Sequence, residues 1–262
     1  ADAVRLLLEG RASVVTRRFE TSAVLLATRQ CHVDIVRMLV AAKGDTETPA
    51  DEGKRPLHFA AEAGDTGLVD VLVGAGADTN ASTKEGKTPL HIAAEENSSS
   101  IACILLESGA KKDAVTTRGA TALHWAAGLG HGAIARHLLN ARADMELADL
   151  SGDTPLHKAA GRGKAETLGL LLDARANLAS QDKDGDTALH FASAYGHVRC
   201  VRLLLQDASS PVDVLNKQGK TAFDLSVEPM LFDGSSKTFS QIDRCRACAT
   251  LLAKGSPKAR RA

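Results

Sequence analysis

Aromatic residues make up only 3% of the 262-residue sequence, so its core must be built from Leu, Val, Ile and Ala. Positive charge is not in excess, because 32 Lys and Arg balance 32 Asp and Glu and the formal net charge is +0. A dedicated nucleic-acid binder needs surplus positive charge to meet phosphates, so we expect no nucleic-acid partner. We also expect no integral membrane segment, because no apolar run approaches the roughly 18 residues of a spanning helix.

Cysteine is scarce and gives no sign of a disulfide framework. The five cysteines are odd in number and irregularly spaced, which favours a reducing compartment, cytoplasmic or nuclear. Cys245 and Cys248 form a lone C-x-x-C without a second ligand pair for zinc or a thioredoxin-like context. Residues three apart share a helix face, so we interpret this pair as a packed edge of the last helix.

The sequence does contain one repeated motif, Pro-Leu-His-Phe-Ala-Ala at 56–61, which recurs with small changes along the chain. Its histidine recurs every 33 residues, at His58, His91, His124, His157 and His190. A fixed period of this length is typical of a solenoid, which grows by stacking and needs no second core.

The motif is similar to the Thr-Pro-Leu-His-x-Ala-Ala signature of ankyrin repeats, and the resemblance covers nearly the whole chain. It implies an all-α ankyrin-repeat solenoid of stacked helix-turn-helix units joined by β-hairpin-like loops. It also implies a curved array whose concave groove binds other proteins. We therefore expect a monomeric, non-catalytic interaction scaffold that has no cofactor, no metal and no catalytic residues.

The period divides the chain into one domain, 1–262. It predicts a half repeat at 1–19, repeats at about 20–52, 53–85, 86–118, 119–151, 152–184, 185–218 and 219–254, an insertion near 228–241 and a tail at 255–262. The half repeat indicates a piece of a longer protein, and a degenerate, self-capping end is the alternative. The first full repeat is degenerate, with Val-Leu-Leu-Ala at 24–27 in place of Leu-His-x-Ala.

The repeats share residues whose positions have physical reasons. A threonine stands at the N-cap of most first helices, and a glycine such as Gly64 ends the helix with positive φ. Asn97 holds the glycine position in the third repeat. Arg142 and Arg175 replace the glycine after the second helix, where a left-handed conformation costs about 1 kcal/mol. They represent either tolerated strain or a stacked basic pair that holds an acidic group.

The repeated histidines are too far apart to share a metal ion. Neighbouring helices pack about 10 Å apart, whereas zinc–nitrogen bonds are about 2 Å long. We therefore expect these histidines to make structural hydrogen bonds. The sequence also lacks a glycine-rich phosphate loop, a nucleophile elbow and a paired-carboxylate arrangement.

Partner-binding residues are expected on hairpin tips and on the exposed ends of first helices, where ankyrin partners usually lie. Leu129, Leu150 and Tyr195 are apolar where polar residues are the default, and Arg162 lies between them. Aromatic and arginine side chains are common interface anchors. The alternative for Leu129 and Tyr195 is packing against an adjacent helix end.

Acidic tips mark repeats five and six and favour a partner with basic and apolar residues, although solvated turns also favour aspartate. Trp125 follows a repeat histidine and is expected to be mostly core, whereas Lys158 reaches the groove. The predicted protein-binding residues are Trp125, Leu129, Leu150, Asp153, Lys158, Arg162, Asp184, Asp186 and Tyr195.

Two other functions fit the same repeats. The chain could be the recognition or regulatory segment of a larger multidomain enzyme, for which the missing first half repeat is the only support. It could also be a tether that joins a membrane protein or the cytoskeleton to a complex. Neither alternative is distinguished from a free-standing scaffold by the residues present.

Overall fold

The computed structural model describes residues 22–207, 209–227 and 239–255, and the regular elements within these ranges are helical. The predicted half repeat at 1–19 lies outside the described residues, as do residues 256–262 of the predicted tail. The predicted insertion at 228–241 also lies outside them, except for its last three residues, which begin the final helix. The single domain and its repeat boundaries stay predictions.

The chain divides into two compact units, a first unit of Ala1–Ala122 and a second unit of Leu123–Ala262. The helix pairs of the first unit are α1 (Ala23–Arg29) and α2 (Val33–Ala41), α3 (Pro56–Glu62) and α4 (Thr66–Gly74), and α5 (Pro89–Glu95) and α6 (Ser99–Glu107). Those of the second unit, where α7 starts at the boundary, are α7 (Ala122–Leu129) and α8 (Gly132–Asn140), α9 (Pro155–Gly161) and α10 (Ala165–Asp173), α11 (Ala188–Ala194) and α12 (Val198–Leu204), and α13 (Ala222–Val227) and α14 (Phe239–Gly255).

Within each unit, first helices pack on first helices and second helices on second helices. In the first unit α3 lies against α1 and α5, and in the second α11 lies against α9 and α13. The first helices approach closely because their paired alanines, such as Ala60 and Ala61, are fully buried and add little width. The inward leucines of these helices, each at most 1% exposed, are Leu57, Leu90, Leu123, Leu156 and Leu189.

The loops between repeats are hairpin-like and hydrogen-bond to one another. In the second unit the Asp149 amide donates to the Asp153 carbonyl at 2.9 Å, which closes one hairpin. The next hairpin approaches this one so that the Lys183 amide donates to the Ser151 carbonyl at 3.0 Å. Gly152 lies where the two hairpins meet and has φ +87°, a left-handed conformation that favours glycine.

The C-x-x-C pair lies on one buried face of α14, as predicted. Cys245 is 1% exposed and Cys248 is fully buried. The Cys245 thiol donates to the Ala194 carbonyl at 3.4 Å, which ties α14 to the end of α11. These thiols therefore form part of the packing of the final helix.

The left-handed arginines are confirmed, with φ of 59° at Arg142 and 70° at Arg175. Replacing either with glycine should raise the free energy of unfolding by up to about 1 kcal/mol, because glycine adopts this conformation without steric cost. Urea unfolding measures the change. The reciprocal Gly76→Arg variant, at φ 85° with open space around it, should lose a similar amount. A loss of stability on Arg175→Gly would show that the arginine makes contacts that outweigh its strain.

Candidate functional site

Buried histidines on the first helices join each repeat to the next. The Thr154 amide donates to Nδ1 of His157 at 3.1 Å, so the proton of the neutral ring lies on Nε2. Nε2 of His157 donates to the Asp186 carbonyl, 29 residues onward, at 3.1 Å. In the first unit, His91 accepts from Thr88 and donates to the Ala120 carbonyl in the same way. The predicted structural role of these histidines is confirmed.

The closing repeat carries Asp224 at the histidine position. Its Oδ2 accepts from the Thr221 amide at 2.8 Å and from the Thr221 hydroxyl at 2.7 Å, so it caps α13. A carboxylate has no second ring nitrogen to donate onward. The substitution therefore keeps the local cap and drops the bond to a following repeat.

Lys158 and Asp153, both predicted to contact a partner, form an ion pair with each other. Nζ of Lys158 lies 2.6 Å from Oδ2 of Asp153 and 2.7 Å from Oδ2 of Asp149. Burial favours neutral lysine, but the two hydrogen bonds and negative charges outweigh it and raise the pKa of Lys158. The three side chains bind the hairpin tip to α9, so Lys158 is not a free cation in the groove.

The two acids predicted on the next tip differ in exposure. Asp184 is exposed, as expected for a tip residue. Asp186 is only 4% exposed, and its Oδ1 accepts from Nδ2 of Asn216 at 2.8 Å. Burial, followed by the charges of Asp182, Asp184 and Asp153, raises the pKa of Asp186 to about 6. Asp186 therefore belongs to the packing between repeats, which corrects its expected placement on the binding surface.

The predicted apolar and aromatic positions stay near the surface to different degrees. Leu150 is 62% exposed at a hairpin tip, whereas Leu129 and Trp125 are half-buried on α7. Tyr195 is also half-buried, and its ring stacks on His197 with centroids 6.2 Å apart and an interplanar angle of 25°. Arg162 is exposed just after α9. Together with Asp184, Leu150 and Arg162 are therefore the predicted residues most open to a partner.

The ends of the first helices differ between the two units. In the first unit they carry Glu62 and Glu95, which form ion pairs with Lys54 at 3.0 Å and Lys87 at 2.8 Å. The corresponding residues of the second unit are Gly128, Gly161 and Ala194.

Neighbouring side chains use the space that these small residues leave. A methyl group placed on Gly128 would stand 3.6 Å from Cδ of Arg162, so the arginine stem lies over the end of α7. One placed on Gly161 would stand 3.3 Å from Cδ1 of Phe191. The change from Glu to Gly or Ala falls four residues after each repeat histidine. This difference between the units is therefore visible in the sequence, but our predicted site did not include these positions.

A cavity of about 550 Å³ lies beside Arg175, between the ends of α10 and α12. Its lining includes Asp207, whose carboxylate accepts hydrogen bonds from the amide and the hydroxyl of Ser209. These bonds, with a smaller contribution from the charge of Arg175, lower the pKa of Asp207. An acidic group that interacts with Arg175 of the predicted basic pair thus belongs to the chain itself.

The described part of the chain contains neither a cluster of metal-ligating side chains nor a membrane-spanning helix. No three or more His, Cys, Asp or Glu side chains are grouped there so that they could hold a metal ion. None of the helices in these ranges combines the length and the apolar character needed to cross a bilayer.

Comparison with known proteins identifies a family and solved structures of similar fold. A family model described as ankyrin repeats in three copies matches residues 1–83, 57–149, 101–182 and 156–229. The chain is similar to the crystal structure of the ankyrin repeat domain of Bcl-3, a unique member of the IkappaB protein family, with 27% sequence identity and a TM-score of 0.71. That similarity covers 86% of this chain and 98% of the other. No curated protein matches the chain.

Proposed function

The chain belongs to the ankyrin-repeat family, and on that premise we propose that it is a non-catalytic scaffold that binds a partner protein or peptide. Ankyrin repeats are generally protein-interaction modules without enzymatic activity. A preformed stack of repeats loses little conformational entropy on docking, so a few side chains suffice for specific binding.

The binding surface that we propose lies on the second unit, at the hairpin tips and first-helix ends of repeats four to six. We base this placement on a difference between the units. Lys–Glu ion pairs occupy the first-helix ends of the first unit, and the corresponding positions of the second unit have no glutamate. Glycine and alanine replace the glutamates there, and the side chain of Arg162, which is exposed, lies over Gly128. Leu150, 62% exposed, supplies an apolar contact on a neighbouring tip.

The partner that fits this surface carries apolar and basic residues. Asp184 is exposed and Asp182 half-buried on one tip, so a basic side chain can approach negative charge there. Lys158 offers no competing free cation, because Asp149 and Asp153 hold it. We place the chain in the cytoplasm or nucleus, a proposal supported by its five free cysteines, and we propose that it is a monomer.

The test is affinity capture from native lysate, followed by titration of the captured partner. Leu150→Asp should weaken binding at least about tenfold, because the substitution puts a charge where an apolar contact is expected. The matched control is Val115→Asp, which changes an apolar residue that is 53% exposed in the first unit. Equal affinities of the two variants would remove the second-unit surface from consideration.

A further inference from the structure

Three basic side chains of the second unit each lie over the turn glycine of the preceding repeat. Lys164 and His197 stand at the starts of α10 and α12, and Arg244 lies within α14. A methyl group placed on Gly130 would stand 2.8 Å from Cδ of Lys164, and one on Gly163 would stand 2.6 Å from Nδ1 of His197. One on Gly196 would stand 3.0 Å from Cβ of Arg244. The side chains thus succeed one another once per repeat, at the roughly 10 Å interval of packed helices.

An exposed arginine, Arg199, extends this series on the first turn of α12. We call Lys164, His197, Arg199 and Arg244 the basic ladder. Arg244 is exposed and Lys164 is half-buried. The ring of His197 is held in place, because its Nε2 donates to the Gly161 carbonyl at 3.0 Å.

Helix stability does not explain these residues. Lys164 and His197 are the N-cap residues of α10 and α12, and neither side chain makes a capping hydrogen bond. The N-terminus of a helix bears partial positive charge and favours Asp, Asn, Ser or Thr, so a cation there lowers stability. The corresponding residue of α4 is Asp65, whose carboxylate accepts from the Leu68 amide at 3.0 Å.

The positive charges of the basic ladder outnumber the negative charges of the acidic groups near it. Glu166 is exposed on the first turn of α10, and a methyl group placed on Gly132 would stand 3.1 Å from its Oε1. Asp243 lies 3.7 Å from Arg246, which is not part of the ladder. Among the described residues, the three permanent cations Lys164, Arg199 and Arg244 thus outnumber the nearby carboxylates of Glu166 and Asp243, and Asp243 also pairs with Arg246, so the surface attracts an anionic ligand.

We propose that the basic ladder is a second docking surface, which binds an acidic segment of a partner protein in extended conformation. An extended chain advances about 3.3 Å per residue, so a carboxylate at every third residue matches one repeat. The formal net charge of +0 gives no general attraction for nucleic acid, which favours an acidic peptide. The inference goes beyond the groove-binding function and uses none of its predicted residues.

Fluorescence anisotropy of the full chain tests the proposal with a labelled peptide that has glutamate at every third residue. We expect saturable binding that weakens as salt is added, and at least about tenfold weaker binding by the Lys164→Asp/Arg199→Glu double variant. The matched control is Lys84→Asp/Lys217→Glu, which alters two exposed lysines outside the ladder and should leave affinity within about twofold.

Stability provides the second readout, because both ladder substitutions put negative charge at a helix N-terminus. The double variant should melt about 2 to 4 °C higher while it loses the peptide. A lower melting temperature would show that the ladder supports the fold and would overturn the proposal. Equal peptide affinity of the ladder and control variants, or tighter binding of a labelled single-stranded DNA than of the peptide, would also overturn it. None of these outcomes bears on the Leu150 surface.

Discussion

Alanine at Gly152 is expected to lower the free energy of unfolding by about 2 to 4 kcal/mol. Gly152 has φ +87°, where a side chain costs about 1 kcal/mol, and its Cβ would stand 2.6 Å from the Lys183 amide nitrogen. The other near atoms also belong to the backbone, at Asp182, so no flexible side chain can move aside. Overpacking of this kind costs a further 1 to 3 kcal/mol or so.

Two other glycines separate the backbone strain from the overpacking in this loss of stability. Gly219 has φ +73° with no atom within 4 Å of a Cβ, so Gly219→Ala should cost only the strain of about 1 kcal/mol. Gly169 lies within α10 in open space, and alanine there should raise stability by about 0.5 to 1 kcal/mol. Urea unfolding of all three variants gives the order. Equal losses at Gly152 and Gly219 would show that the hairpin tips are not held in contact.

Asparagine at Asp186 is expected to stabilise the chain at neutral pH by about 1 to 3 kcal/mol. The pKa of Asp186 is raised from its ordinary value of 3.8 to about 6, chiefly by burial, so its ionised form is disfavoured in the fold. Asparagine has no charge to bury and keeps an oxygen that can accept the Asn216 bond. Asp184→Asn is the control, because that carboxylate is exposed two residues away.

The advantage of Asp186→Asn should shrink as the pH falls. A carboxyl group with a raised pKa contributes stability below its unfolded pKa and loses it as the pH rises through its folded pKa. The gap between variant and parent should therefore be full above about pH 6 and close toward pH 3.8. Urea midpoints across that range measure it. A pH-independent gap would contradict the assignment to ionisation.

The buried histidines give the stability of the whole chain the opposite dependence on pH. Burial is the main cause that lowers the pKa of His58, His124, His157 and His190 below 6.5. A base with a lowered pKa contributes stability above its unfolded pKa and loses it as the pH falls through its folded pKa. Parent and Asp186→Asn share these histidines, so the difference between their stabilities isolates Asp186.

The repeating part of the fold could be predicted from the sequence because its requirements are local. A positive φ after a helix requires glycine or a tolerant substitute, and Asn97 at φ 57° meets that requirement as predicted. The histidine spacing likewise predicted structural hydrogen bonds, because a ring at each 33-residue interval meets the same two backbone groups.

The binding residues were harder to predict because burial at a hairpin depends on the next repeat. Asp184 and Asp186 are two residues apart in one acidic run, yet Asn216 from the following repeat covers only Asp186. Lys158 looked like a free cation, since no residue beside it in sequence is acidic. Its partners, five and nine residues earlier in the chain, depend on how the hairpin folds back onto α9.

Hydrogen exchange of the chain with its captured partner tests the proposed second-unit surface most directly. We expect the partner to slow amide exchange at the tips around 149–152 and 182–186 and at the first-helix ends around 159–162 and 192–195. Exchange in α2 and α4 of the first unit should stay unchanged. Protection confined to the first unit, or to the outer helices α8 and α10, would contradict the claim that the partner docks on tips and first-helix ends of repeats four to six.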